Sequence, residues 1–375
     1  MKSLLFLNTD TPWVYTLAGR LAERHAVHAV RFSDWFVYWQ QSPSWPENGF
    51  SESMRRTMKV MPTGYAGRLE WLARPFLQRK VEGWRDDLRA ESRTEPWVVV
   101  CYPYAAPWVR SVPDERLLYY NLDEYTLYRP KRADRIRKLE TELVERAAHT
   151  ICLSQYQVDA LGERHPSHLD RISHYPLGVQ DSFLHPQPTE APTPNSVVYV
   201  GNVGKRVDWP LVADVVERCP ELAFTIVGGP IDGMPSEEWE HERAWVLRQP
   251  NVEHPGRVPQ AAVSDYYQSH AVNWIPYDLD HPFNRASCPT KIMDGIASGR
   301  PVVSTSVPEC QQYPEWITIA DDPAAMADAL RAHADHKAHD SERARRQVEF
   351  ARGHTWERRA ETFEELLGLD QKASA

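Results

Sequence analysis

The chain has 375 residues, of which 42% are hydrophobic and 25% charged, and its formal net charge is -9. This length predicts two domains, and the sequence lacks the run of about 18 apolar residues that would mark an integral membrane protein. The acidic balance argues against general binding to nucleic acid. The five cysteines are scattered without metal-ligand spacing, which predicts reduced thiols in a cytoplasmic protein.

The first half alternates short apolar runs with amphipathic stretches, a pattern typical of a parallel sheet covered by helices. The predicted strands are Ser3–Asn8, His28–Phe32, Trp97–Cys101, Arg116–Asn121, Thr150–Ser154 and Ile172–Tyr175. Helices are predicted at Val14–Arg24, Lys131–Ala148 and Tyr156–Arg164. Between residues 33 and 93 the strand pattern is lost, and aromatic and basic residues are frequent.

A proline-rich stretch separates the two halves, because four prolines in His185–Pro194 suit neither a helix nor a central strand. We therefore predict a first domain at 1–180, a linker at 181–195, a second domain at 196–352 and a last helical segment at 353–375. The second domain repeats the alternation. Its predicted strands are Ser196–Val200, Leu222–Val227, Ala271–Ile275, Pro301–Thr305 and Trp316–Ile319, and its predicted helices include Trp209–Arg218, Gln260–Ser269 and Thr290–Ala297.

Glycines and cations follow the first strands of the second domain, where ligands of doubly wound sheets bind. Gly201 and Gly204 let backbone approach a phosphate, and Lys205 and Arg206 neutralise it. A plain glycine turn accounts for the same spacing equally well. Gly228 ends the next strand, where it suits either a flat ligand or a tight turn.

The helix after Pro289 carries Lys291 in its first turn and Asp294 one turn later on the same face. A cation near a helix N-terminus is disfavoured unless an anion lies there, so Lys291 indicates a phosphate. Asp294 is placed to accept hydrogen bonds from ribose hydroxyls. An exposed ion pair between the two side chains explains the spacing equally well.

Taken in order, these motifs resemble those of GT-B-fold glycosyltransferases that use nucleotide sugars, in particular bacterial polysaccharide and glycolipid enzymes of the family 4, or group 1, type. The resemblance covers most of residues 172–305. The residues that carry it are Pro176-Leu177-Gly178-Val179 with Phe183, Val200-Gly201, Val227-Gly228, Asn251-Val252 to Gly256-Arg257-Val258, Pro276-Tyr277, and Pro289 to Val303.

The fold implied by this resemblance is α/β, with two Rossmann-like, doubly wound domains facing a central cleft and a C-terminal helix crossing back to the first domain. The donor implied is a UDP- or GDP-linked sugar, held mainly by the second domain. Neither a catalytic metal nor another cofactor is implied, and we interpret Asp278-Leu279-Asp280 as a solvated loop rather than a metal site.

Carried over by position, the resemblance implies that Lys291, with Lys205 or Arg206, contacts the donor diphosphate. It also implies that Asp294 contacts the ribose and that Arg257–Val258 lies beside the base.

Two departures from the family pattern weaken the transfer of a retaining mechanism. Asp294 stands where the family usually has Glu, and Ala286 replaces a Glu that is common in retaining members.

In the first half, Asp123 and Glu124 follow a predicted strand. Related glycosyltransferases often carry an acidic motif here, so we predict Asp123 as the general base and Glu124 as a contact to the acceptor. A turn or helix-capping role is the alternative. Asp10 and Trp13 follow the first strand, and we predict both as further contacts to the acceptor. For Trp13 the alternative is a tryptophan packed in the core.

Residues 51–85 carry eight cations against three acids, with aromatic side chains between them. Such a surface predicts peripheral contact with anionic lipid at the inner face of a membrane, and a solvated face is the alternative.

The leading hypothesis is a glycosyltransferase that moves a sugar from a nucleoside diphosphate to a hydroxyl of a saccharide or lipid-linked acceptor. The alternatives are a GT-B-fold epimerase and a non-catalytic protein that binds nucleotide sugars or glycans.

Overall fold

The structure is a computed structural model that describes residues 1–41, 45, 51–229, 237–335 and 340–369. The chain forms two compact units. The first contains Met1–Pro176 and the chain from Trp356 onward, and the second contains Leu177–Thr355.

The first unit is a seven-stranded parallel sheet in the order β3-β2-β1-β4-β5-β6-β7. Its strands are β1 (Ser3–Leu7), β2 (Ala26–Asp34), β3 (Arg55–Met61), β4 (Trp97–Val100), β5 (Leu117–Asn121), β6 (His149–Cys152) and β7 (Ile172–His174). Its helices are α1 (Pro12–Ala22), α2 (Trp35–Gln41), α3 (Glu70–Ser92), α4 (Tyr125–Tyr128), α5 (Ala133–Arg146) and α6 (Gln155–Arg164). The central strands are apolar and buried along their length because helices cover both faces.

The second unit is a six-stranded parallel sheet in the order β10-β9-β8-β11-β12-β13. Its strands are β8 (Thr193–Val200), β9 (Ala223–Val227), β10 (Val252–Gly256), β11 (His270–Ile275), β12 (Val302–Ser304) and β13 (Ile317–Ile319). Its helices are α7 (Trp209–Arg218), α8 (Glu238–Val246), α9 (Val263–Ser269), α10 (Pro282–Ala286), α11 (Thr290–Ala297), α12 (Pro323–Ala334) and α13 (Ser341–Arg352).

Strand order reverses at β1/β4 in the first sheet and at β8/β11 in the second. The loops that leave these strands diverge to opposite faces of each sheet and open a crevice beyond the carboxyl ends. A ligand site is therefore expected at each reversal point, after β1 and β4 in one unit and after β8 and β11 in the other.

The last helix, α14 (Trp356–Leu366), belongs to the first unit and packs on α1. Phe363 stacks on Phe6 of β1 with ring centroids 6.0 Å apart, and Glu364 accepts a 2.7 Å hydrogen bond from Arg24. These contacts return the end of the chain to the first unit, as the resemblance implied.

Two regions differ from the sequence predictions. The stretch at 33–93, where we expected no strand, contains β3, whose cations lie on an edge strand that faces solvent. The predicted linker at 181–195 lies within the second unit. There His185 donates its backbone N–H to the Ala297 carbonyl at 3.0 Å, and Thr193 begins β8.

Among the described residues, no helix is both long and apolar enough to cross a membrane.

Candidate functional site

Gly201, in the loop after β8, and Gly228, in the loop after β9, form a close backbone contact beside the reversal point of the second sheet. The N–H of Gly201 donates to the Val227 carbonyl at 2.9 Å, and the N–H of Gly228 donates to the Gly256 carbonyl at 2.9 Å. A Cβ on Gly228 would lie 1.7 Å from the Gly201 carbonyl oxygen, and the φ of Gly228 is 149°. Glycine is therefore required at 228 by the close approach of the two loops.

The Lys291 ammonium lies directly beside this glycine pair. It would be 2.7 Å from a Cβ on Gly201, and it donates a 2.7 Å hydrogen bond to the Tyr277 hydroxyl. The rings of Tyr199 and Tyr277 lie 5.2 Å and 4.9 Å from it. Only 8% of Lys291 is exposed, and among the described residues no carboxylate oxygen comes within 4.0 Å of its nitrogen.

A second cation, Arg206, lies on the same tyrosine. Its guanidinium carbon is 5.1 Å from the centre of the Tyr277 ring. It donates to Asn284 Oδ1 at 2.7 Å and to Ser287 Oγ at 2.9 Å, which are both neutral acceptors. Two cations thus converge on one ring, and within the described part of the chain neither forms an ion pair.

The aromatic and polar side chains that hold these cations were not predicted as site residues. Tyr199 lies in β8 one residue before its end, and Tyr277 follows β11. Asn284 lies in α10, and Ser287 follows it. The Pro276-Tyr277 pair was visible among the motifs. Its role as the acceptor for Lys291 depends on how α11 packs beside the loop after β11, which the local sequence does not encode.

Asp294 lies on α11 one turn after Lys291 and is partly buried. Burial raises the pKa of its carboxyl group to about 7, while Lys291 and a hydrogen bond from Thr290 oppose the rise. The predicted exposed ion pair between Lys291 and Asp294 is absent from the described contacts. The two groups still interact through the field of the ammonium.

The remaining predicted donor residues lie in the turns that follow β8 and β10. Trp209 donates its indole N–H to the Gly204 carbonyl at 3.1 Å, and Lys205 is exposed. Arg257 is exposed, with its Cγ 3.1 Å from where a Cβ on Gly229 would lie. Val258, which follows it, is half-buried.

In the first unit, the turn after β1 is rich in buried polar atoms. Asn8 adopts a φ of 66°, and its side-chain oxygen is buried, as are those of Thr9 and Thr11 and the indole N–H of Trp13. Among the described residues none of these four atoms has a hydrogen-bond partner. Buried polar atoms are normally paired, so this turn is a candidate ligand site.

Asp10 lies in the same turn, and 47% of its side chain is exposed. Packing around its carboxyl group raises the pKa to about 6, against the lowering effect of Arg31, whose Nε is 3.7 Å away. The Asp10 charge in turn helps to raise the pKa of Tyr65 and of Tyr102. Asp10 therefore faces the turn after β4 as well as its own.

Asp123 and Glu124 follow β5 and are held within their own turn. Asp123 accepts hydrogen bonds from the Glu124 backbone N–H at 2.9 Å and from the Tyr128 hydroxyl. Glu124 is the N-cap of α4 and accepts from the N–H and hydroxyl of Thr126. Both acids lie at the carboxyl edge of the sheet, and Glu124 has the capping role that we gave as its alternative.

The comparisons with known proteins agree with the motifs. Residues 206–365 match the family model described as glycosyl transferase-like. A protein of Bacillus subtilis (strain 168), provisionally named teichuronic acid biosynthesis glycosyltransferase TuaH, is 23% identical over 181 residues, or 46% of this chain. The chain spans 44% of the length of that curated relative.

Solved structures match the fold over almost the whole chain. Anabaena Alr3699/HepE in complex with UDP superposes with a TM-score of 0.70 at 13% identity, covering 98% of this chain and all of that one. Sucrose-phosphate synthase from Thermosynechococcus elongatus gives 0.67 at 17% identity, covering 98% of this chain and 99% of that one. The chain thus has the fold of the GT-B glycosyltransferases, as its motifs indicated, and residues 206–365 match the glycosyl transferase-like family.

Proposed function

We propose that the protein is a glycosyltransferase whose second unit binds a nucleoside diphosphate sugar. The buried Lys291 ammonium is the observation that supports this most strongly. A buried charge is stable only when it is paired, and Lys291 has a tyrosine hydroxyl and two rings but no carboxylate partner among the described residues. A diphosphate supplies the missing negative charge.

The neighbouring groups support the orientation of this donor. Arg206 provides a second cation for the diphosphate. Gly201 and Gly228 have no side chains, so the diphosphate can approach the backbone at this contact. Asp294 suits the ribose hydroxyls, and Arg257–Val258 suits the base. UDP is the favoured nucleotide, because Anabaena HepE has been solved with UDP and with UDP-glucose.

The first unit supplies the acceptor in this proposal. Within the described part of the chain, the side-chain oxygens of Asn8, Thr9 and Thr11 have no hydrogen-bond partner, and they suit the hydroxyls of a saccharide. Trp13 offers an aromatic surface. A carboxylate removes the acceptor proton as the new glycosidic bond forms, and the departing diphosphate is stabilised by Lys291 and Arg206. Asp123 stays the prediction from the sequence, whereas the raised pKa of Asp10 favours Asp10 as this base.

Contact with a membrane is part of the proposal, and exposed aromatic residues and cations of the first unit support it. Of the cations at 51–85, Arg85 is buried on Glu95, Arg55 pairs with Glu91, and Arg74 lies 3.9 Å from Glu70. The apolar exposure lies in α2 and early α3. We define the aromatic face as Trp35, Phe36, Trp39, Trp71 and Phe76, which are all exposed.

Cations accompany this face. Lys59 and Lys80 lie 4.9 Å and 5.8 Å from the Phe76 ring, and Arg79 is exposed nearby on α3. Exposed aromatic side chains near lysines are typical of proteins that bind the membrane interface. A lipid-linked acceptor would be reached from such a surface.

The test is release of UDP from UDP-glucose by the purified chain, first without an acceptor and then with candidate saccharides. We expect slow release that Lys291→Met reduces by about ten- to a hundredfold, because a charge-assisted contact to the leaving group is lost. Arg248→Met is the matched control, since it removes an exposed cation of the same unit at the opposite edge of the sheet. UDP binding without release or transfer would favour the non-catalytic alternative.

A further inference from the structure

A cavity of about 560 Å³ in the first unit is lined almost entirely by cations and small residues. We call it the basic cavity and define it by its lining: Gly67, Arg68, Pro130, Lys131, Arg132, Ala133, Asp134, Arg135 and Lys138. It joins the turn before α3 to the first turns of α5. None of the predicted donor, acceptor or catalytic residues lies in this lining, whereas Gly67 and Arg68 belong to the stretch at 51–85 that was predicted to contact lipid.

The charges of this cavity are poorly compensated. Arg135 donates to the Gly67 carbonyl at 3.1 Å and lies 3.8 Å from Glu70. Asp134 forms an ion pair with Arg137 at 3.6 Å. The other four cations are Arg68, Lys131, Arg132 and Lys138, and within the described ranges none of these has a carboxylate partner within 4.0 Å.

The backbone adds charge of the same sign. α5 begins at Ala133, so its positive end meets Lys131 and Arg132, and a helix N-terminus disfavours cations. The sequence from Arg129 to Lys138 contains six cations and one acid in a chain whose net charge is negative. Such a concentration of largely exposed like charge creates a positive potential that attracts an anion.

The cavity lies at the same edge of the sheet as the acidic turns. The Arg135 guanidinium is 5.8 Å from the ring of Tyr104, which follows β4. Tyr104 packs on Tyr102, and Tyr102 packs on Tyr125 at the start of α4. A ligand in the cavity is therefore separated from the turn that carries Asp123 by the packed rings of these tyrosines.

We propose that the basic cavity binds a phosphate or diphosphate group of the acceptor. The assignment of the bound group to the acceptor rests on the proposed function. The phosphate site itself rests on the charges described above. Several arginines and lysines around a cavity suit an oxyanion with more than one charge better than a neutral sugar. The acceptor class is thus a phosphorylated saccharide or a carrier linked through a phosphate ester.

The experiment titrates inorganic pyrophosphate into the full chain by calorimetry, with UDP present so that the donor site is filled. The test variant is Lys131→Gln/Lys138→Gln. The matched control is Lys2→Gln/Arg352→Gln, which removes the same charge outside the cavity. We expect affinity for pyrophosphate to fall about five- to thirtyfold in the test variant alone, and to weaken with salt in the parent.

Flotation with phosphatidylcholine vesicles, with or without phosphatidylglycerol, separates the two sources of phosphate. Loss of pyrophosphate binding with unchanged flotation assigns the cavity to a soluble or carrier phosphate, and loss of both assigns it to a lipid headgroup. Equal pyrophosphate affinity in the test and control variants overturns the proposal, as does loss of flotation alone. UDP affinity, measured in the same proteins, reports separately on the second unit and thus on the proposed function.

Discussion

The Lys291 ammonium donates a 2.7 Å hydrogen bond to the Tyr277 hydroxyl and lies 4.9 Å from the centre of the same ring. The contact joins helix α11, which carries Lys291, to the loop after β11, which carries Tyr277. The tyrosine is the only described hydrogen-bond acceptor for the ammonium. It therefore holds the cation beside Gly201 before any ligand arrives.

Removing that acceptor gives the first prediction. Tyr277→Phe keeps the ring but leaves the buried ammonium without its oxygen, so the free energy of unfolding should fall by about 1–3 kcal/mol. In a Lys291→Met background the same substitution should cost much less, because no ammonium remains to be satisfied. Urea unfolding of the four proteins measures the coupling. Equal costs in both backgrounds would show that the hydrogen bond contributes nothing.

The glycine pair gives the second prediction. Gly228→Ala places a Cβ 1.7 Å from the Gly201 carbonyl oxygen, a backbone atom that cannot move aside without breaking β8 from β9. We expect a loss of several kcal/mol of stability or no folded protein. Gly204→Ala is the control, since its Cβ would meet only the flexible Asn202 side chain at 2.6 Å. Similar melting temperatures for the two variants would contradict this account.

Much of the fold could be predicted from the sequence because parallel strands are buried on both faces and leave continuous apolar runs. Helices α7 and α11 begin and end at the predicted residues. β3 was missed because an edge strand faces solvent and carries cations, which break that pattern. The proline-rich stretch was misplaced because proline composition reports local chain stiffness and not which unit the chain packs on.

The site was predictable only in part for a related reason. Lys291 and the glycines lie in local motifs whose spacing carries information. The contact of Lys291 with Tyr277 joins residues 14 positions apart, and the contact of Arg206 with Asn284 joins residues 78 positions apart, so neither contact is contained in a local motif. The basic cavity was missed because the sequence around Arg132 looks like an ordinary charged helix start until Gly67 is brought against it.

The third prediction concerns the pH dependence of stability. The pKa of Asp294 is raised from 3.8 to about 7, so the folded protein keeps a proton that the unfolded chain releases between these values. The protonated Asp294 carboxyl therefore contributes to the free energy of unfolding at low pH, and this contribution is lost as pH rises towards 7. Asp294→Asn has no carboxyl group to ionise, so its free energy of unfolding should rise relative to that of the parent between pH 5 and pH 8.

Urea unfolding at the two pH values measures this difference. Asp265→Asn, at an exposed position on α9, is the control and should show the same pH dependence as the parent. A gain for Asp294→Asn that is equal at both pH values would refute a raised pKa as its cause.

The fourth prediction concerns the aromatic face. Trp39 is 83% exposed on α2 and Trp71 is exposed on α3, so each can enter the headgroup region of a bilayer. Trp39→Ser/Trp71→Ser should reduce flotation with vesicles that contain phosphatidylglycerol, and salt should weaken flotation of the parent. Tyr156→Ser, at an exposed aromatic on α6, is the control. Equal flotation of all three proteins would remove the aromatic face as a membrane contact.

The fifth prediction assigns the base. A base must be deprotonated to accept the hydroxyl proton, and the Asp10 pKa of about 6 lies close to neutral pH. If Asp10 is the base, the transfer rate should fall about tenfold between pH 7 and pH 5, with a midpoint near 6. Asp10→Asn should lower the rate by roughly 10²- to 10⁴-fold while UDP affinity stays nearly constant.

Two further variants decide between the acids. Arg31→Gln removes the cation that lowers the Asp10 pKa, so the midpoint of the rate profile should move to higher pH, which a merely structural role for Arg31 would not cause. Asp123→Asn keeps the hydrogen bond from Tyr128 and, in this assignment, costs less than Asp10→Asn. The opposite ranking, with a midpoint that Arg31→Gln leaves unmoved, would return the role of base to Asp123. Glu124→Gln should then affect stability through its cap on α4 more than it affects the rate.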